Sequence, residues 1–79
     1  MNQKVYNNVM SGKSDNNIRF SDFRNLIVDL GFTFIRQTGS HRQYFHNDTN
    51  VFMNIQNDGS KAKAYEVRQL RKIIKENDL

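Results

Sequence analysis

The sequence of 79 residues contains no cysteine, no proline and no tryptophan. Without cysteine, the chain can form neither a disulfide framework nor a thiolate metal site. It also has no apolar run of membrane-spanning length, and its first residues lack the apolar segment of a secretory signal peptide. We therefore expect a soluble, cytoplasmic protein with no membrane contact. Its core must be thin, because short chains bury a smaller share of their surface, and a partner can add stability.

Common motifs for cofactors and catalysis are missing as well. The sequence has no P-loop, no Rossmann fingerprint, no paired zinc ligands and no Ser-His-Asp pattern. We expect no cofactor and no bound metal. What the sequence does have is an excess of positive charge, with twelve Lys and Arg against eight Asp and Glu. This excess favours an acidic or polyanionic partner, either nucleic acid or an acidic protein surface.

Apolar residues in the first part of the chain recur at helical spacing. One stripe predicts a short helix over residues 3–11, which Gly12 can close in a left-handed cap. After a polar loop, residues 18–20 predict a very short strand or an extended segment. A second stripe predicts a helix that has Ser21 or Asp22 as its N-cap and Gly31 just after its end. The two stripes consist of Val5, Tyr6, Val9 and Met10, and of Phe23, Leu26, Ile27 and Leu30.

From Phe32 the apolar period changes to two, which is typical of strands. Regular alternation would put Phe32, Phe34 and Arg36 on one face of the first strand. A turn at residues 38–40 then predicts a hairpin to a second strand over residues 41–46. A turn at 47–50 leads to a third strand over 51–56, and residues 57–60 break the pattern. The third strand would bury Val51, Met53 and Ile55.

A last helix is predicted over residues 64–77, with an apolar stripe and a basic surface. Three strands need cover on one face, and the two long helices are available to provide it. The predicted architecture is therefore a single α+β domain, an α-β-β-β-α two-layer sandwich over residues 18–79. Residues 1–17 add an N-terminal helical extension and a loop.

His41 is the residue whose position best suits chemistry. The turn at Gly39 and Ser40 delivers it to the first position of a strand, and its imidazole can take or give a proton near neutral pH. Gly39 lets backbone N–H groups approach an anion closely. Arg42 can contact a phosphate, although strand alternation points it to the opposite face. The alternative is that His41 is an ordinary exposed residue at the start of a strand.

His46 is the other histidine, and its spacing argues against joint action with His41. Positions five residues apart lie on opposite faces of a regular strand, so the two imidazoles cannot share a metal ion or a substrate. Only a β-bulge between them would change this. We interpret His46 as a solvated residue at a strand end.

Basic and aromatic residues could extend a nucleic-acid site around His41. Cations over the last loop and helix could position a phosphate backbone, although a solvated helix face is the alternative. Tyr44 and Tyr65 could stack on bases, although half-buried tyrosines in the core are the more common arrangement. The basic residues are Lys61, Lys63, Arg68 and Arg71, followed by Lys72 and Lys75.

Three stretches resemble the HicA (YcfA-like) toxin family. The first joins Gly31-Phe32 to Arg36-Gln37-Thr38-Gly39-Ser40-His41-Arg42-Gln43-Tyr44. The second joins Asn54-Ile55-Gln56 to Gly59-Ser60-Lys61-Ala62-Lys63 and a basic terminal helix. The N-terminal stretch over residues 11–20 is similar to an extension found in one branch of the family. Together they cover essentially the whole chain.

The resemblance implies a fold like that of double-stranded-RNA-binding domains, and an mRNA interferase that stops translation by cleaving RNA. The family's catalytic histidine corresponds to His41. Many members carry a second histidine directly after it, where this chain has Arg42, which does not titrate near neutral pH. The implied partners are mRNA and a HicB antitoxin that covers the histidine. We expect a monomeric free toxin and an oligomeric antitoxin complex.

The resulting hypothesis is a metal-independent endoribonuclease of a type II toxin–antitoxin system. His41 would be the general base on a ribose 2′-hydroxyl or the general acid on the leaving 5′-oxygen. Gly39, Ser40, Arg42, Lys61, Lys63, Arg68 and Arg71 would bind RNA. One alternative is a non-catalytic RNA-binding module with the same fold. Another is an adaptor whose basic face docks an acidic protein.

Overall fold

A computed structural model describes all 79 residues of the chain. It contains three helices, a three-stranded antiparallel sheet and a small two-stranded hairpin. The predicted α-β-β-β-α order with an additional N-terminal helix is confirmed. In chain order the elements are α1 (Gln3–Ser11), α2 (Phe20–Asp29), β1 (Phe32–Thr38), β2 (His41–His46), β3 (Val51–Ile55), β4 (Asn57–Asp58), β5 (Lys61–Ala62) and α3 (Ala64–Asn77).

The main sheet has the strand order β1-β2-β3 and packs one face against the helices. Apolar side chains from the helical stripes meet the alternate residues of the strands in one buried cluster. Met53 and Ile55 are buried and Val51 is half-buried, so the predicted inner face of β3 is confirmed. The cluster is built mainly from Phe23, Leu26 and Ile27 of α2, from Phe32, Tyr44, Met53 and Ile55 of the sheet, and from Val67, Leu70, Ile73 and Ile74 of α3.

A β-bulge at Ile35 changes the first strand. Phe34 lies opposite Tyr44 and Arg36 lies opposite Gln43, so Ile35 has no partner in β2. An extra residue shifts the alternation of side chains by one position. The prediction that Arg36 shares a face with Phe34 is therefore wrong, because Arg36 lies on the opposite face of the sheet, which no helix covers.

Two hairpins with the same Gly-Ser loop organise the second half of the chain. Thr38 pairs with His41 around Gly39-Ser40, and Asp58 pairs with Lys61 around Gly59-Ser60. Gly39 and Gly59 both have a φ near +60°, the conformation that the first position of a type II′ loop requires. The first hairpin was predicted. The second was not, because two-residue strands are too short to show a period.

Ile18 and Arg19 form an extended segment beside β5, and Phe20 begins α2. Arg19 forms a single bridge to Lys61, and the amide of Phe20 donates to the Ser60 carbonyl at 2.9 Å. This arrangement agrees with the predicted extended segment. The predicted N-cap of α2 is wrong by two to three residues. Arg19 occupies that position without a side-chain cap, and Ser21 and Asp22 lie within the first turn.

Helix α1 packs against α2 and α3. Its Val5 and Val9 belong to the main buried cluster, and Tyr6 and Met10 pack against that cluster. The predicted closing glycine is confirmed, since Gly12 is left-handed with φ of 72°. None of the three helices combines the length and the apolar character that crossing a bilayer requires.

Candidate active site

The open face of the sheet carries His41. Along β2, Tyr44 and His46 are buried toward the helices, whereas His41 is exposed and Gln43 is half-exposed on the other face. The cross-strand register sets Thr38 directly beside His41. His41 therefore stands at the end of a strand with its imidazole accessible from solvent.

A shallow depression of about 260 Å³ surrounds this histidine. It is lined by Arg36, Thr38, His41, Gln43 and Asn54, none of which is apolar or acidic. Arg36 Nε donates to Gln43 Oε1 at 3.2 Å, which orients the guanidinium next to the amide. The lining offers a fixed cation, a hydroxyl, two amides and an imidazole. These groups suit an anionic ligand with polar oxygen atoms, such as a phosphodiester.

Side-chain hydrogen bonds hold the Gly39-Ser40 turn in place. Gln37 Nε2 donates to the Gly39 carbonyl at 2.9 Å, and Gln56 Nε2 donates to Ser40 Oγ at 2.8 Å. Gln56 Oε1 in turn accepts from Lys63 Nζ at 3.1 Å. A Cβ added to Gly39 would meet no atom within 4 Å, so the surface of the turn is open to a ligand.

Glu66 ties the same network to α3. Its Oε1 accepts from the backbone N–H of Gln56 at 3.0 Å, although the residue is buried, with 3% of its surface exposed. Burial raises the pKa of the Glu66 carboxyl, and the Gln56 N–H and the nearby charge of Lys63 act in the opposite direction. Ser40, Gln56, Lys63 and Glu66 thus connect the turn before His41 to the start of the last helix.

Residues 20–79 match the protein-family model described as HicA toxin of bacterial toxin–antitoxin. The chain belongs to the HicA toxin family. Searches of curated proteins and of solved structures gave no match. Membership makes this chain a toxin of a toxin–antitoxin system. Its partner is therefore an antitoxin. The match begins at the start of α2, so α1 lies outside it.

His46 has a structural position in this HicA-family chain. Its Nε2 donates to the Leu30 carbonyl at 3.0 Å, and its Nδ1 lies 2.9 Å from Thr49 Oγ1. A carbonyl can only accept, so in the neutral ring Nε2 carries the proton and Nδ1 accepts from the hydroxyl. The interpretation of His46 as a solvated residue is wrong, since 4% of its surface is exposed. The prediction that it faces away from His41 is confirmed.

The predicted basic residues of this HicA toxin do not form one surface. Lys63 joins the network of the turn, while Lys61 Nζ donates to Asn17 Oδ1 at 2.8 Å. Arg68 is exposed on α3. Arg71 is committed elsewhere, because its guanidinium forms a two-point ion pair with Asp15 and donates to the Val9 carbonyl.

Arg42 lies on the helix side of β2, as alternation predicts. Of the two tyrosines considered for stacking, Tyr44 is a core residue with 2% of its surface exposed, and Tyr65 is exposed on α3. The sequence interpretation did not assign Arg36, Thr38, Gln43 or Asn54 to the site. Alternation from His41 could have identified Gln43, whereas Arg36 required knowledge of the bulge.

Proposed function

We propose that this HicA-family toxin is an mRNA interferase, an endoribonuclease that uses His41 to cleave RNA. The observation that carries the proposal is that the accessible imidazole of His41 and the guanidinium of Arg36 line the same depression. No carboxylate lines it. Polyanionic RNA would be attracted to such a site. Membership of a toxin family is consistent with a harmful activity such as RNA cleavage.

The proposed reaction needs proton transfer but no cofactor. The ribose 2′-hydroxyl loses its proton, its oxygen attacks the adjacent phosphorus, and the bond from phosphorus to the 5′-oxygen breaks. The leaving 5′-oxygen takes up a proton. The products are a 2′,3′-cyclic phosphate and a 5′-hydroxyl. His41 would act as the base on the 2′-hydroxyl or as the acid on the 5′-oxygen.

The neighbours of His41 would stabilise the phosphate during the reaction. Arg36 would place a fixed positive charge beside the developing negative charge. The Ser40 hydroxyl, which accepts from Gln56, keeps its own proton available for a phosphate oxygen. Gly39 would allow close approach of the RNA backbone. Lys63 would add positive charge beside the turn.

Contacts farther along the RNA would come from Lys61 and Arg68. We leave Arg42 and Arg71 out of this proposed surface, because the first lies on the helix side of the sheet and the second is paired with Asp15. The proposed antitoxin is a HicB-type protein that covers His41 and so blocks access of mRNA in the cytoplasm.

Cleavage of RNA by purified protein tests the proposal. Wild type and His41→Ala would be incubated with a labelled mRNA, with and without EDTA, and the ends of the fragments would be analysed. We expect 2′,3′-cyclic phosphate ends from wild type in both buffers, and a rate about 10²–10⁴-fold lower for the folded variant. Ends with a 5′-phosphate and inhibition by EDTA would contradict the proposal. Binding of RNA without cleavage would favour the alternative, an RNA-binding module.

A further inference from the structure

Two phenylalanines lie together on the open face of the sheet. Phe45 on β2 and Phe52 on β3 are directly paired across the strands, with ring centroids 4.6 Å apart and ring planes inclined by 47°. Phe52 has 56% of its surface exposed, and Phe45 is half-exposed. A cross-strand aromatic pair stabilises the sheet, and an apolar patch left exposed beside a polar depression is also typical of a binding surface.

The aromatic pair is continuous with the His41 depression. Phe45 is two residues from Gln43 along β2, and Phe52 is two residues from Asn54 along β3. Two residues of a strand extend about 7 Å, and residues two apart share a face. Gln43 and Asn54 pair with each other and line the depression. The rings are therefore the next row of side chains beyond those that would contact the phosphate.

We propose that Phe45 and Phe52 form a base-stacking subsite for single-stranded RNA, occupied by a nucleotide next to the phosphodiester at His41. The proposal rests on the proposed function and specifies its substrate as unpaired RNA. Every nucleobase has a flat face that can stack on an aromatic ring, so such a subsite adds affinity with little dependence on sequence. A duplex would not fit, because its bases are stacked on each other.

Charge on this face favours RNA as the occupant. The three strands and the Gly39-Ser40 loop contain no Asp or Glu, and the row next to the rings leads to the Arg36 guanidinium. A chain of phosphates could follow Arg36 while a base covers Phe52. An apolar protein surface would have no counterpart for Arg36 and the polar groups of the depression.

The test measures RNA binding without cleavage. In the His41→Ala background, fluorescence anisotropy would follow a labelled twelve-nucleotide oligoadenylate, an oligouridylate of the same length and an abasic ribose-phosphate oligomer of the same length. Replacing Phe52 by Ala should weaken binding of both oligonucleotides about tenfold, the usual loss for one stacked base. Phe52→Leu should lose most of the affinity and Phe52→Tyr should keep it. Binding of the abasic oligomer should not change.

The matched control is Val28→Ala, which removes an exposed apolar side chain from α2, where 50% of Val28 is exposed. It should bind all three probes like the parent protein. If Phe52→Ala binds oligoadenylate as the parent does, or if Phe52→Leu retains full affinity, the stacking subsite is wrong.

The stacking subsite and the nuclease activity can each be absent without the other. If RNA cleavage requires His41 but is unchanged in Phe52→Ala, the stacking subsite is wrong and the proposed nuclease activity is supported. If the protein binds RNA through Phe52 but does not cleave it, the proposed nuclease activity is wrong and the stacking subsite is supported. Circular dichroism of each variant would verify that it is folded.

Discussion

At the scale of single residues, the contrast between the two histidines supports a chemical role for His41. His46 has both ring nitrogens engaged, and a Cβ on Gly31 would come within 3.0 Å of its Nε2, so it fastens the end of α2 to the sheet. His41 forms no side-chain hydrogen bond and lines a depression with Arg36. Of the two histidines, only His41 has ring nitrogens without a partner in the protein, so it is the one that we propose for proton transfer.

Arg36→Gln should lower the rate of RNA cleavage. The guanidinium is the fixed cation of the depression, and a charge-assisted hydrogen bond contributes about 1.5–3 kcal/mol. A loss of that size corresponds to a roughly 10- to 100-fold lower kcat/KM. Arg24→Gln on α2 is the matched control and should cleave RNA like wild type. Equal rates for the two variants would remove Arg36 from the site.

The residues of the site were only partly predictable from the sequence. His41 could be identified because a Gly-Ser turn and a strand place it locally. The role of Arg36 depends on the bulge at Ile35, which no apolar period reveals. Arg71 belongs to a basic stretch in the sequence, but its partner Asp15 lies 56 positions away. Contacts over such separations depend on the tertiary fold.

At the scale of elements, the two Gly-Ser hairpins offer an internal comparison. Both glycines have a φ near +60° and open space around the position of a Cβ. The first hairpin presents His41 and the second presents Lys61. The two loops should therefore have the same importance for stability and a different importance for activity.

Gly39→Ala and Gly59→Ala should each lower the free energy of unfolding by about 1 kcal/mol, because a side chain disfavours positive φ. Chemical denaturation would measure this loss. RNA cleavage should fall strongly in Gly39→Ala, whose loop positions His41, and fall less in Gly59→Ala, whose loop carries only Lys61 of the proposed RNA surface. Similar losses of activity in both variants would show that the first turn has no special role.

Glu66 connects α3 to the His41 turn, and its removal should be costly. Glu66→Ala leaves the partly buried N–H of Gln56 without its acceptor, which should lower the free energy of unfolding by about 1–2 kcal/mol. Glu66→Gln retains an acceptor and should cost less. Thermal or chemical denaturation of both variants at neutral pH would measure the difference, and equal stabilities would argue against the hydrogen bond.

The same carboxyl should also affect stability as a function of pH. Its pKa is raised in the folded protein by burial, so the folded state binds this proton more tightly than the unfolded state. The resulting stabilisation is present below the unfolded pKa and is lost as pH rises through the folded pKa. Wild type should therefore lose stability relative to Glu66→Gln over that interval. A difference that does not change with pH would contradict this account.

Elements with an apolar period, including the short α1 and β2, were predictable, and the two-residue strands were not. The limits of α3, residues 64–77, agree with the prediction, because its apolar stripe continues through several turns. The β4-β5 hairpin has two residues in each strand and no apolar pattern. The start of α2 at Phe20 was not predicted, because Ser21 is a residue type that often caps helices. In the structure the extended Arg19, which is bridged to β5, is the N-cap instead.

At the scale of the whole molecule, one ion pair fastens the N-terminal segment to the domain. Arg71 on α3 reaches Asp15 at 2.9 Å and also donates to the carbonyl of Val9, the α1 residue buried most deeply in the cluster. Both side chains are largely buried, with 17% and 13% exposed. Helix α1, outside the family match, thus shares the core and a buried polar contact with α3.

Arg71→Gln should lower the free energy of unfolding by about 1–2 kcal/mol at neutral pH, since hydrogen bonds between charged groups are lost. The hydrogen bond from Arg71 lowers the pKa of Asp15 in the folded protein. Its stabilisation is therefore present above the unfolded pKa and is lost as pH falls through the folded pKa. The deficit of the variant should shrink in acid. Lys72→Gln, which removes an exposed cation from the same helix, should show little deficit at any pH.

Expression in cells tests the central claim, that His41 makes this HicA-family chain an RNA-cleaving toxin. Wild type and His41→Ala would be induced without an antitoxin to equal protein levels, and growth and the 5′ ends of cellular mRNA would be recorded. We predict growth arrest with new 5′-hydroxyl ends for wild type, and normal growth without such ends for the variant. Growth arrest and mRNA cleavage by a folded His41→Ala protein would contradict the claim.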